Sequence, residues 1–132
     1  MNLKVSTEQG RVPVTVIHVE GKIDSSTYEA FLAGAEKSIN DGARNVLIDL
    51  SQVAFVSSAG LRALNILFNR LRDLSPDVSD QEMHKGISAG TYKSPHLKLL
   101  NPSKETLASL ESSGFSMFIE TFNDLKAAVA SF

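Results

Sequence analysis

The 132-residue chain contains no cysteine, which excludes disulfide staples, thiolate zinc sites and cysteine nucleophiles and suits a reducing compartment. It also lacks any run near the roughly 18 uninterrupted apolar residues that a membrane span needs, and Met1-Asn2-Leu3-Lys4-Val5 has no apolar core of a secretory signal. A cytoplasmic protein with no membrane insertion is expected. An excess of one charge is missing too: 13 Lys and Arg against 15 Asp and Glu leave a net charge of −2, so no broad basic surface awaits nucleic acid. There is no Gly-x-Ser-x-Gly elbow, no Gly-x-x-x-x-Gly-Lys-Ser/Thr phosphate loop and no Gly-x-Gly-x-x-Gly fingerprint. What is present is 42% hydrophobic and 21% charged, the balance of an ordinary folded domain and not of a disordered chain. The length fits one domain over residues 1–132.

Leu3 to Thr7 alternates apolar and polar, Glu8-Gln9-Gly10-Arg11 reads as a turn, and Val12 to Val19 resumes the alternation with Val14, Val16 and Ile17 turned inward. An antiparallel hairpin is expected, its second strand ordered just after Pro13. Ser26-x-x-Glu29 has the spacing of a capping box, and Tyr28, Phe31, Leu32, Ala35 and Ile39 follow at helical intervals. Asn45 to Leu50 is a short apolar run of the kind covered on both faces, placed at the centre of the sheet. Leu61, Leu64, Leu67, Phe68 and Leu71 mark one face of a second helix. Residues 74–93 are polar, without sustained period, and read as a flexible inserted loop. Leu97 to Leu100 offers a strand, Asn101-Pro102-Ser103 a helix start, and Leu107 with Leu110 a third helical stripe ending near Gly114. Phe115 to Ile119 reads as the last strand, with Thr121 capping a final helix that carries Phe122, Leu125, Val129 and Phe132. The order ββαβαβαβα predicts an α/β domain, a mixed β-sheet with packed helices. In such sheets, sites gather at strand-to-helix loops on the carboxyl edge, here Gly21–Ser26 and Val56–Gly60.

Ser57 and Ser58 stand at the start of the second helix. A serine there can simply cap a free amide, worth about 1 kcal/mol. Alternatively, the free amides and the positive end of the helix dipole would stabilise a phosphate added by a kinase, bringing a charge of about −2. Arg62, Asn65 and Asn69 lie on the other face of that helix, open to a partner. His18, His84 and His96 have no metal-ligand spacing, so no metal is expected. Ser58 with His18 or His96 and Asp24 supplies the residue types of a hydrolase without its motif, and no catalysis by this chain is expected.

The run Val46-Leu47-Ile48-Asp49-Leu50-Ser51-Gln52-Val53-Ala54-Phe55-Val56-Ser57-Ser58-Ala59-Gly60-Leu61-Arg62-Ala63-Leu64 resembles the signature of STAS domains, the anti-sigma factor antagonists, in which an apolar strand leads to Asp-Ser-Ser-Gly-Leu at a helix start. Glu20-Gly21-Lys22-Ile23-Asp24 is similar to that family's Gly-Glu-Leu-Asp turn. The resemblance covers nearly the whole chain outside 74–93 and implies a single STAS-like domain. Alignment on Phe55, Gly60 and Leu61 puts the family's phosphorylated serine on Ser58, with Ser57 as a second acceptor because it replaces the usual aspartate, and Ala59 in place of the second serine. The resemblance implies a binding module, not an enzyme, that docks an anti-sigma factor which is also a serine kinase. Asp24, Ser57, Ser58, Gly60, Arg62 and Asn65 would form the docking face, phosphorylation would weaken it, and a serine phosphatase would restore it. ATP and magnesium would belong to the kinase, leaving this chain without a cofactor. The alternative on the same fold is a phosphorylation-independent scaffold subunit, of stressosome type or accessory to a transporter, with Ser58 only a helix cap; oligomeric state is left open.

Overall fold

A computed structural model describes residues 1–132. The alternation of Leu3 to Thr7 and of Val14 to Val19 produces the hairpin: β1 (Asn2–Gln9) pairs antiparallel with β2 (Pro13–Glu20) in continuous register from Asn2–Glu20 to Gln9–Pro13. Pro13 opens β2, where its missing N–H costs least. α1 (Tyr28–Asn40) buries Phe31, Ala35 and Ile39. β3 (Val46–Gln52) follows, then α2 (Ser58–Leu74), α3 (Asp80–Ala89), β4 (Leu97–Leu100), α4 (Lys104–Ser113), a short 3-10 turn at Phe115–Met117, β5 (Thr121–Phe122) and α5 (Leu125–Ala130). The five strands lie in the order β1-β2-β3-β4-β5, parallel from β2 onward, with β3 at the centre as its apolar run predicts.

Strand periodicity sorts the sheet into two unequal faces. Ile17, Val19, Val46, Ile48, Leu97 and Leu99 meet α1, α2 and α4 in the larger core. Val14, Val16, Leu47 and Leu100 point the other way and meet the short α5 through Ala128 and Val129, with Val12, Phe122 and Phe132 at the margin. That second face is covered at one end and open at the other, where Lys4, Ser6, His18 and Asp49 lie.

Four expectations are corrected. The capping box at Ser26 does not form, because the Ser26 hydroxyl donates to Asp24 Oδ1 at 2.7 Å; α1 starts after Thr27, whose side chain makes no cap bond. Phe115 to Ile119 is not a strand. Phe115 and Phe118, three apart on the 3-10 turn, bring their rings within 5.5 Å, and Phe118 packs 4.9 Å from Phe68. The last strand is therefore Thr121–Phe122, with Asp124, not Thr121, capping α5 by accepting from Ala127 N at 2.9 Å. Finally, the stretch 74–93 holds a helix, α3, closed by Ser79 at its start and by left-handed Gly90 at its end.

One buried side chain ties the α2–α3 connection to α2. Arg72, 8% exposed on α2, donates to Val78 O at 2.7 Å and Asp80 Oδ1 at 2.9 Å, and reaches Asp77 Oδ1 at 3.4 Å. Met83 and Tyr92 then close onto Phe68 and the larger core. Replacing Arg72 by alanine is expected to cost about 2 kcal/mol and to make residues 75–93 the first site of limited proteolysis. Lysine should rescue little, since a single ammonium lacks the spread of the guanidinium nitrogens that reach Asp77, Val78 and Asp80 separately.

Candidate functional site

At the carboxyl edge of the sheet the β2–α1 and β3–α2 loops run side by side. Gly21 leaves β2 at φ +107°, a left-handed conformation that favours glycine, and its N–H donates to Gln52 O at 3.1 Å. Ile23 N donates to Phe55 O at 3.0 Å, and Ser57 N donates back to Ile23 O at 2.8 Å, so that Ile23 and Val56 form a parallel bridge with both side chains buried. This stitch brings Asp24 to the same edge as the start of α2.

The two serines divide the work at that start. Ser57 is the cap: its backbone is extended, its oxygen accepts from Gly60 N at 3.5 Å, and its carbonyl accepts from Leu61 N at 2.9 Å. Ser58 is exposed, and its hydroxyl makes no hydrogen bond within the protein. The amides of Ser58 and Ala59 likewise find no acceptor in the chain, as expected of the first turn of a helix. The simple capping role thus falls to Ser57 and leaves Ser58 free.

Gly60 is buried and shapes the start of α2 from beneath. A Cβ there would lie 2.6 Å from Val56 Cγ1 and 2.9 Å from both Ile23 Cγ2 and Ile23 O. The missing side chain lets the helix start press against the stitched loops.

Asp24 is a turn residue in every bond it makes. Its Oδ1 accepts from Ser26 Oγ at 2.7 Å, Ser26 N at 2.9 Å and Thr27 Oγ1 at 3.3 Å. These bonds, the Ser26 hydroxyl foremost, hold its carboxyl below the usual carboxylate range. With its folded pKa lowered, the turn is at full strength above the ordinary aspartate value and loosens only as pH falls through the depressed one. An NMR titration of the Ser26 amide should show its hydrogen-bonded shift persisting through mild acid and collapsing only below the ordinary aspartate range.

Near the serines in sequence, Arg62 and Asn65 are exposed on α2, and two apolar side chains are open: Phe55 in the β3–α2 loop, 42% exposed, and Ile66 on α2, 38% exposed. The β4–α4 loop joins the edge through Ser103, whose hydroxyl donates to Ala54 O at 3.1 Å. Phe55, Ile66 and Ser103 escape sequence reasoning because periodicity assigns apolar residues to the core and gives loops no position. None of the recesses in the surface includes Ser57 or Ser58, and the largest, about 450 Å³, lies at the other edge, between the hairpin turn and α5. The site is a raised surface with an apolar spot, a shape that suits a protein partner more than a small substrate.

The hydrolase grouping does not assemble. His18 Nδ1 pairs with Asp49 Oδ2 at 2.7 Å and its Nε2 meets Ser6 Oγ at 3.1 Å, on the open sheet face, while His96 Nδ1 meets Asn45 Oδ1 at 3.0 Å. Burial acts to raise the Asp49 pKa, but hydrogen bonds from Ser51 and His18 outweigh it and hold the carboxylate ionised. No three His, Asp or Glu side chains are gathered so as to hold a metal ion. No helix is long and apolar enough to cross a membrane.

Residues 4–78 match the family model of the STAS domain. A curated relative, the candidate anti-sigma factor antagonist BtrV of Bordetella bronchiseptica, is 25% identical over 114 residues, covering 86% of this chain and 82% of BtrV. Among solved structures, an anti-sigma factor antagonist from Mycobacterium paratuberculosis superposes with a TM-score of 0.68 at 18% identity, over 98% of this chain and 93% of that one. The Bacillus cell fate determinant SpoIIAA in its phosphorylated form does so with a TM-score of 0.61 at 16% identity, over 96% of each chain. These likenesses show a common fold, a single α/β domain with a mixed five-stranded sheet.

Proposed function

Because the chain belongs to the STAS domain family, we propose that it is a cytoplasmic anti-sigma factor antagonist, one that docks an anti-sigma factor acting as a serine kinase and is switched off when that kinase phosphorylates Ser58. The observation that carries this reading is the division between the serines: Ser57 caps α2 while the Ser58 hydroxyl stands exposed and unbonded beside free amides. A phosphate on Ser58 would be tolerated by the fold, because the helix dipole and the amides of Ser58 and Ala59 favour an anion there. The same dianion in a desolvated protein contact, close to the Asp24 turn, opposes docking unless an arginine answers it. A serine phosphatase would restore the docking form. Phe55, Arg62 and Asn65 supply the apolar centre and polar rim of such a contact.

A pull-down with the kinase partner, without ATP, tests the reading. Wild type and Ser58→Ala are expected to retain the kinase and Ser58→Asp to lose at least about tenfold in affinity, a difference of roughly 1.4 kcal/mol. Equal retention by all three would favour the phosphorylation-independent scaffold.

A further inference from the structure

The free edge of β1 has the features of a self-association surface. Thr15 N–H on β2 is donated to Asn45 O just before β3, and Gly21 N–H just after β2 is donated to Gln52 O at the end of β3. Odd-numbered residues of β2 therefore turn their backbone groups toward β3, and Val14, Val16, His18 and Glu20 turn theirs toward β1, where Glu8, Ser6, Lys4 and Asn2 face them. By the same alternation Leu3, Val5 and Thr7 direct their N–H and C=O groups outward, and no other backbone bond takes them up. Edge strands are commonly blunted by proline, a bulge, short length or charged side chains. β1 has no proline, bulge or short run: it spans 8 residues in continuous register with Val5 54% exposed, and its charges, Lys4 and Glu8, are of opposite sign. The opposite edge, β5, has only 2 residues.

Charge decides what fits. Lys4 and Glu8 lie on one face of β1, and neither takes part in an ion pair within the chain. We infer that β1 pairs antiparallel with β1 of a second copy, with Ser6 opposite Ser6 and each Lys4 opposite Glu8 of the other copy. Outward-facing residues must meet outward-facing residues, which restricts the choice of register. Centring on Lys4 sets two ammonium groups against each other, and centring on Val5 leaves Lys4 opposite serine and Glu8 opposite asparagine. Only the Ser6-centred register joins both opposite charges directly across the strands, the arrangement that stabilises a strand pair. The two sheets become one, and α2 with Ser58 takes no part.

The absence of cysteine makes the register testable. Ser6 would occupy a non-hydrogen-bonded pair, with Cα atoms about 4.5 Å apart, within disulfide reach. Under mild oxidation Ser6→Cys should cross-link to itself, Lys4→Cys alone should not, and a mixture of Lys4→Cys with Glu8→Cys should. Sedimentation of the wild type should show a concentration-dependent dimer that weakens with salt. Val5→Pro removes an outward N–H while sparing the β1–β2 ladder, and should weaken the dimer at least about tenfold, or 1.4 kcal/mol, with circular dichroism unchanged. Lys4→Glu should weaken it comparably, and Lys4→Glu with Glu8→Lys should restore it. A monomer at every concentration, a dimer indifferent to both the proline and the charge reversal, or self-linking by Val5→Cys in preference to Ser6→Cys would overturn the inference.

Discussion

Replacing Gly60 by valine is expected to lower stability by about 3 kcal/mol, seen as a fall of about 10 °C in the thermal midpoint for a chain of this size. The new Cβ would stand 2.6 Å from Val56 Cγ1 and 2.9 Å from Ile23 O. One of these is backbone inside the stitch between the two loops, so it cannot give way alone. Helix propensity works in the other direction, favouring alanine over glycine by about 1 kcal/mol, and Gly60→Ala should therefore cost less than valine while still destabilising. The functional consequence follows from the same contact. Pushing α2 away from Ile23 strains the Ser57 N–H to Ile23 O bond of 2.8 Å, so both variants should weaken docking although neither changes an exposed side chain. A Gly60→Val protein with an unaltered melting temperature would show that the loops and the helix start are not closely packed.

Lys98→Ala is expected to cost about 3 kcal/mol and Lys98→Met about 1 kcal/mol. Lys98 is 4% exposed on β4, beneath the short α5. Its Nζ donates to Ser131 O at 2.9 Å and Ser131 Oγ at 3.0 Å, lies 3.5 Å from Glu120 Oε1, and stands 4.8 Å and 5.8 Å from the ring centres of Phe132 and Phe122. The ammonium thereby ties the last residues of the chain to the sheet. Alanine removes both the bonds and the stem that fills the space between the rings. Methionine keeps the volume and escapes the cost of desolvating a charge, which explains its smaller penalty. Denaturant melts measure both values, and hydrogen exchange should show α5 opening before the rest of the fold in the alanine variant.

The large elements were legible because burial repeats at a fixed interval. Phe31, Ala35 and Ile39 mark α1, Leu64, Leu67, Phe68 and Leu71 mark α2, and the run at Val46 to Leu50 marks the central strand. Where a segment is held by specific polar contacts of one side chain, the pattern is silent. α3 buries only Met83 of its own residues and depends on Arg72, whose sequence context is that of any exposed helical arginine. Lys98 likewise sits in an apolar run as an apparent exception, until α5 is known to cover that face. Phe115 to Ile119 has strand-like composition, yet left-handed Gly114 followed by paired rings draws it into a 3-10 turn.

At the site, sequence placed both serines at a helix start but could not assign the cap, which depends on whether an oxygen reaches Gly60 N. It also singled out Gly60, but the contact with Ile23 that buries it is visible only in the coordinates. The neighbourhood of Asp24 and the helix start was foreseeable from the rule that strand-to-helix loops share one edge; the Ile23–Val56 bridge that enforces it was not.

The most direct test of the account is to incubate the protein with the proposed anti-sigma factor kinase and ATP and to map the phosphate by mass spectrometry while following complex formation. The account predicts phosphate on Ser58 in wild type, none in Ser58→Ala, and release of the complex in step with its appearance. Phosphate confined to Ser57 or to residues away from the start of α2, or release proceeding equally well in Ser58→Ala, would contradict it.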